Sequence, residues 1–396
     1  MTENKNIRRV GIFGGYRGMA FYAAVQASEG FRVVCVCEKD PVRAEAIRKT
    51  VSEDVVVCAG FDEMLQVGID VVILANYFHE HCKYAIRAME AGVDVVSETN
   101  AAPTAGDCLD LVECWERTGR KYVLAANCPV MLGPAEMIRR YQSGELGEVQ
   151  YAEAEYLHPL GDFGNAEQTM KDLYPDEFHW RRYLPGTYYN MHSMGVLMEA
   201  TGLCPRRVTA MEIYTEEHAK HVQYKKNKST GAIALYEMEN GAIFRSTGCC
   251  GMGPMGKWYR LTCQKGSVET TRVNQDRVLF RPNNGVPTEY DPADNRTEFE
   301  KSSGHGGADG VLWGKMAAYL RGDAEEPFFG MYNAAMLSLA GVFGHYSALD
   351  GKTYEIPDIR DKAAREILRG DYRTPFPDEN GNVTLRCSVY SPDQKL

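Results

Sequence analysis

The chain has 396 residues, 44% of them hydrophobic and 25% charged, and a formal net charge of −10. This is a globular composition with core enough for two domains; the negative balance argues against nucleic acid or an anionic membrane as partner, and no run is apolar and long enough to span a bilayer. Residues 1–5 lead into the first strand with no apolar signal region, so the chain reads as cytoplasmic, and its twelve cysteines, mostly inside apolar patterns and without a Cys-x-x-Cys, read as reduced core residues.

Arg8 to Phe13 reads as a short buried strand, Gly14, Gly15 and Gly18 as a tight turn, and Met19 to Ser28 as a helix. A glycine turn between a strand and a helix start is an anion site: free N–H groups and the helix dipole face a pyrophosphate, and the missing Cβ atoms let it approach. The usual G-x-G-x-x-G is shortened here, with Tyr16 and Arg17 between the last two glycines. A second strand, Arg32 to Cys37, ends at Glu38, where a carboxylate suits the ribose hydroxyls of NAD and repels the 2′-phosphate of NADP. Val55–Cys58, Asp70–Ala75, Val93–Ser97 and Lys121–Ala125 read as further strands. Pro41–Thr50, His81–Ala91 and Ala105–Thr118 carry helical spacing. Strands alternating with helices make a parallel sheet covered on both faces, an α/β Rossmann domain over residues 1–127. Ligands collect at the carboxyl ends of such strands, which carry Gly14, Glu38, Asn76, Glu98 and Asn127.

After Asn127 the pattern changes. Pro134–Gln142 reads as a helix and Val149–Leu157 as a strand. Strands follow at Arg207–Tyr214, Ala232–Met238, Ala242–Cys249, Trp258–Cys263 and Ser267–Thr271 without intervening helices, which predicts a large open antiparallel sheet in an α+β domain. Gly310–Leu320 and Asn333–Leu349 read as helices, and Ile359–Leu368 is expected to return to the first domain. Thr215–Lys228 reads as an exposed polar excursion. Residues 128–396 thus form a domain for substrate binding and oligomerisation.

The chain resembles the Gfo/Idh/MocA family of NAD(P)-dependent oxidoreductases. The resemblance rests on Val10 to Gly18, on His81-x-x-x-Ala85 through Ala88–Gly92, on Val96-Ser97-Glu98 and on Gly144-Glu145-Leu146-Gly147-Glu148. It implies NAD in the first domain, with His81 among the residues beside the nicotinamide. It also implies a sugar, cyclitol or related polyol against the open sheet, and a homodimer or homotetramer built through that sheet. One departure matters. The family usually has Glu-Lys-Pro after the fifth strand, its Lys assisting proton removal, and here the stretch is Glu98-Thr99-Asn100.

Another acid/base is therefore needed. Tyr189-x-x-His192, Gly304-His305-Gly306-Gly307-Ala308-Asp309 and the strand ending Tyr156-x-His158 resemble the NAD-dependent glycosidases of the α-N-acetylgalactosaminidase type, which also lack the Lys. In that chemistry oxidation at C3 of a sugar acidifies the C2 proton, a base removes it, the C1 substituent leaves, water adds and the hydride returns. No carboxylate pair is required. His192 fits the base, because imidazole titrates near pH 6.5. Tyr189 could donate to the ketone oxygen or remove the C2 proton, His305 and His158 could reach the substrate, and Arg181 could hold hydroxyls or a carboxylate. His79-Glu80-His81 has a metal-like spacing but opens a helix, and no metal is assigned. The expectation is an NAD-dependent oxidoreductase acting on a pyranose or glycoside at C3. The alternative is a redox-neutral glycosidase with recycled NAD, and a cofactor-bound sensor that lost catalysis is a third reading.

Overall fold

The computed structural model describes residues 7–159, 168, 171–172, 175–251, 253–391 and 394, with only the backbone at position 250. The leading residues 1–5 and the side chain of Cys250 lie outside that range. The chain divides into two compact units. One comprises residues 1–102, 107–127 and 295–334, the other residues 103–106, 128–294 and 335–396.

The first unit holds a six-stranded sheet in the order β3-β2-β1-β4-β5-β6, every neighbouring pair parallel. Its strands are β1 Arg8–Phe13, β2 Phe31–Cys37, β3 Val56–Cys58, β4 Val71–Leu74, β5 Asp94–Ser97 and β6 Tyr122–Leu124. The central strands are β-branched and buried on both sides, as a sheet covered by helices requires. The helices are α1 Gly15–Ala27, α2 Pro41–Arg48, α3 Phe61–Val67, α4 His81–Glu90 and α5 Ala105–Thr118. The strand order reverses between β1 and β4, and the carboxyl ends there are where such sheets bind ligands.

α1 begins four residues earlier than the sequence suggests. The glycine stretch is itself the first helical turn, and only Gly14 is left-handed, at φ 93°. A Cβ on Gly14 would lie 2.4 Å from the backbone nitrogen of Asn76, so no other residue lets β1 turn this close to the end of β4. The return to the first unit is made by residues 295–334, whereas Ile359–Leu368 belongs to the second unit. The returning segment carries α10 Glu298–Ser302, closed by a Thr297/Glu300 capping box, and α11 Ala308–Arg321.

The second unit contains α6 Leu132–Gln142, α7 Gly186–Tyr189, α8 Met191–Thr201, α9 Glu216–His221 and most of α12, Met331–Asp350. Its nine-stranded sheet runs β14-β13-β12-β11-β7-β10-β9-β8-β15. The strands are β7 Val149–His158, β8 Pro205–Ile213, β9 Gly231–Met238, β10 Ile243–Cys250, β11 Gly256–Cys263, β12 Gly266–Thr270, β13 Val278–Pro282, β14 Thr288–Tyr290 and β15 Tyr354–Glu355. All pairs are antiparallel except β7 with β10, which the long crossover from 159 to 242 lets run side by side in parallel. α7 and α8 lie on one face. They come close because a Cβ on Gly248 would meet Asn190 Oδ1 at 2.3 Å and the Gly186 carbonyl at 2.5 Å. A hydroxyl pair, Ser193 to Ser246 at 2.7 Å, fixes the seat. Among the described residues no helix is long and apolar enough to cross a membrane.

Candidate active site

In the first unit the cofactor candidates gather at the β1–α1 turn. The N-cap Gly14 has no side chain to close α1, and of the opening N–H groups that of Tyr16 is held by Glu38. Glu38 is buried at the end of β2. One carboxylate oxygen accepts from the Tyr16 N–H at 3.1 Å and the other from the Asp40 N–H at 3.0 Å. Two anchored oxygens still leave each a lone pair for a ribose hydroxyl. Gly15 packs beside that carboxylate, a Cβ there falling 3.3 Å from Glu38 Oε2, and Gly18 packs against Ile12. Asn76, just past β4, donates weakly to Glu80 at 3.3 Å, while its own Oδ1 is buried without a hydrogen-bond partner. A glycine helix start, a fixed acid and an orphaned amide oxygen fit a dinucleotide. Asn127 follows β6 and is buried.

Two further candidates, His81 and His305, also lie in the first unit. His81 is fully buried, its Nδ1 2.9 Å from the Asn100 carbonyl and its Nε2 3.3 Å from that of Asn76. Burial holds the ring neutral against those carbonyls and the nearby Glu98. It ties the loops after β4 and β5 together. His305, expected beside a substrate, belongs to the first unit and faces Asp309, with Nδ1 3.1 and 3.0 Å from the two carboxylate oxygens. Asp309 in turn holds Arg17 through both terminal nitrogens, at 3.1 and 3.2 Å, and Arg17 also reaches Glu98 at 2.6 Å.

In the second unit four of the expected groups meet. β7 presents Tyr156 and His158 on the helix-bearing face, two residues apart, so both project the same way. α7 ends at Tyr189 and α8 begins one residue before His192. His192 stacks on Tyr156, ring centres 4.4 Å apart, and Tyr189 meets both edge-on at 4.8 and 5.5 Å. Arg181 donates to the Tyr189 hydroxyl at 3.3 Å and lies over the Trp180 ring. His158 has Nδ1 2.8 Å from the Pro159 carbonyl. Burial, and then the positive charges of Arg181 and Lys257, lower its pKa and favour the neutral ring. With Nδ1–H donating, Nε2 is the proton-accepting nitrogen.

Three residues of this cluster escape a reading of the sequence. Tyr259 donates to the His192 carbonyl at 3.0 Å, and Cys128 Sγ lies 3.8 Å from His192 Nδ1. Lys257, opposite Tyr156 in the β7–β11 register, holds its ammonium 5.6 Å from the Tyr156 ring and 3.4 Å from Met131 Sδ. Their signal is the alternation Lys257, Tyr259 on one face of β11, which is visible only once β11 is known to pair with β7. Among the described residues no group of three or more His, Cys, Asp or Glu side chains is set to hold a metal.

The fold defines a class: a parallel Rossmann sheet in one unit and a large open, mostly antiparallel sheet in the other. Residues 8–126 match the model of the Gfo/Idh/MocA oxidoreductase family, NAD-binding Rossmann fold. Solved structures share the whole architecture. An oxidoreductase from Agrobacterium radiobacter in complex with NAD+, L-tartaric acid and magnesium superposes with a TM-score of 0.70 at 14% identity, over 88% of this chain and 98% of the other. The WlbA dehydrogenase of Bordetella pertussis, in complex with NADH and UDP-GlcNAcA, gives 0.68 at 18% identity, over 90% and 99%. By sequence the chain is similar to glycosyl hydrolase family 109 protein 4 of Phocaeicola vulgatus, 28% identical over 59% of this chain and 46% of that protein. It is 24% identical to a glycosyl hydrolase family 109 protein of Stenotrophomonas maltophilia over 71% and 65%. The match thus spans about half the length of the first of these curated relatives.

Proposed function

We propose that the chain is an NAD-dependent enzyme acting on a pyranose sugar or glycoside, with hydride leaving C3. The observation that carries this reading is the stack of Tyr156, Tyr189 and His192 beside a neutral His158, in a chain whose other unit is an NAD-binding fold. Gly14, Gly15, Tyr16, Arg17, Gly18, Glu38, Asn76, Glu98 and Asn127 hold the cofactor, which when bound supplies the hydride acceptor. His192 takes the hydroxyl proton as hydride leaves. Tyr189, its hydroxyl oriented by Arg181, donates to the oxygen that becomes the ketone. Tyr156 backs His192 by stacking on its ring.

A second reading keeps the same first step and continues to bond cleavage. It is favoured by Thr99, which stands where the family's proton-removing Lys would be, and by the similarity to glycosyl hydrolase family 109 proteins. In this reading Nε2 of His158 or the Tyr189 oxygen removes the C2 proton, the C1 substituent leaves, and water and hydride return. One assay separates the two. Aryl glycosides of both anomers are added without extra NAD, and aglycone release and NADH absorbance are followed together. NADH that accumulates only with supplied NAD, the glycoside intact, means a dehydrogenase. Many aglycones per protein with no net NADH mean a glycosidase.

The partner proposed for the open sheet is a second copy of the chain. The face away from α7 and α8 exposes Met211, Ile233, Leu235 and Ile243 on three neighbouring strands. The compartment proposed is the cytoplasm, in keeping with eleven described cysteines that are all buried.

A further inference from the structure

We infer that the Gly304–Asp309 turn is the positioning clamp of the cofactor loop: Asp309, oriented by His305, fixes Arg17 and thereby sets NAD affinity. The inference rests on the NAD reading above and moves His305 from the substrate to the cofactor.

Four observations carry it. Asp309 is fully buried at the start of α11, yet it is ionised, its pKa held at about 2. Burial alone would raise that value, and the hydrogen bonds from His305 and Arg17 outweigh it. The contact with Arg17 is a fork on a fork, both terminal nitrogens on both carboxylate oxygens, the geometry that fixes a guanidinium in direction as well as in place. Arg17 stands in the first turn of α1, three residues after Gly14, and its guanidinium also binds Glu98 at the end of β5. Its conformation is therefore coupled to the turn whose N–H groups would meet a pyrophosphate. Finally, the turn adopts a costly shape to deliver the clamp. His305, Gly306 and Gly307 have φ values of 54°, 66° and 96°, three left-handed residues in a row. His305 is the one described non-glycine residue with a positive φ, in a backbone region unfavourable to side chains with a Cβ. Its Nδ1 on Asp309 is what that conformation achieves.

NAD binding by calorimetry tests this without relying on turnover. Asp309→Asn keeps the shape and removes the charge, Arg17→Lys keeps the charge and removes the fork, and His305→Ala removes the orienting ring from a half-exposed position. Melting temperature is recorded for each. The expected result is roughly tenfold weaker NAD binding in Asp309→Asn and in Arg17→Lys, with the double variant no weaker than either single, as residues acting as one unit require. His305→Ala should weaken NAD binding roughly threefold. If Asp309→Asn fails to fold, Arg17→Lys and His305→Ala carry the test alone. NAD affinity unchanged in folded variants, or fully additive losses, overturns the clamp while leaving the cofactor reading intact. A wild-type protein that binds neither NAD nor NADP overturns the cofactor reading, and the clamp with it.

Discussion

At the residue scale the chemistry turns on which imidazoles stay neutral and what holds them there. Nearby positive charge works with burial at His158: Arg181 and Lys257 both disfavour its protonated form. Lys257→Met removes one of them, so the pKa of His158 should rise. The acid limb of kcat/KM should move to higher pH, read from a pH profile between 5 and 8. An unmoved acid limb would take His158 out of the titrating set. His192 sits differently, stacked on Tyr156 and edge-on to Tyr189. His192→Ala should lower turnover by roughly a thousandfold, within the range of lost acid–base catalysis, while calorimetric NAD affinity stays within about twofold. Near-normal rates would pass the role to Tyr189. Glu38's place just after the second strand was legible in the sequence. Its anchoring by the Tyr16 and Asp40 N–H groups was not, since backbone donors carry no residue signature. Glu38→Ala should weaken NAD and narrow its preference over NADP, and an unchanged preference would remove Glu38 from the ribose site.

At the scale of elements, most strands and helices could be read from period alone, and the misses have physical causes. α3 is a seven-residue helix that buries only Phe61 and Met64, too short for a 3.6-residue period to show. β14 and β15 are short edge strands, whose pairing is decided by the strand beside them. The parallel pairing of β7 with β10 depends on a crossover of more than eighty residues, which no local pattern encodes. About a hundred residues separate Tyr156 from Lys257, so the cluster was legible only in part. α12 adds a titration that no motif announces. His345 is fully buried in it, Nε2 donating to the Arg386 carbonyl at 2.7 Å and Nδ1 without a hydrogen-bond partner. Burial lowers its pKa from 6.5 to about 4. A histidine depressed in the folded state stabilises above its unfolded pKa and loses that contribution as pH falls toward the folded one. Between pH 7.5 and 5 this group should cost about 2 kcal/mol. Urea unfolding at the two pH values should show that loss in the wild type, and His345→Gln should reduce it whatever the variant's own stability. An equal loss in both proteins would assign the acid sensitivity to other groups.

For the whole molecule, the question left by the large sheet is why its outer face is built as it is. Along β13, β12, β11, β7 and β10 that face carries a ladder of alternating charge. Arg281 meets Glu269, Arg260 stands between Glu269 and Glu153, and Arg245 closes on Glu153 at 3.0 Å. The carboxylates are shielded, with Glu153 15% and Glu269 11% exposed. The neighbouring strands break the pattern. Met211 is 74% exposed, Leu235 48%, and Ile233 and Ile243 lie beside them. Met211 pairs directly with Ile233 across β8 and β9, which makes the apolar positions contiguous. A contiguous apolar patch rimmed by paired charges is the composition of a protein interface, and a self-complementary sheet face is suited to a two-fold dimer. Substituting Met211 and Leu235 together by Glu costs the isolated chain little, because both side chains already face solvent and Leu235 lies opposite Arg245. Sedimentation should give the wild type a multiple of 44.3 kDa and the double variant 44.3 kDa itself, with both binding NAD equally. A wild type that sediments as a single chain, or a double variant that keeps the wild-type mass, would clear this face of the role and leave its apolar rows to another partner.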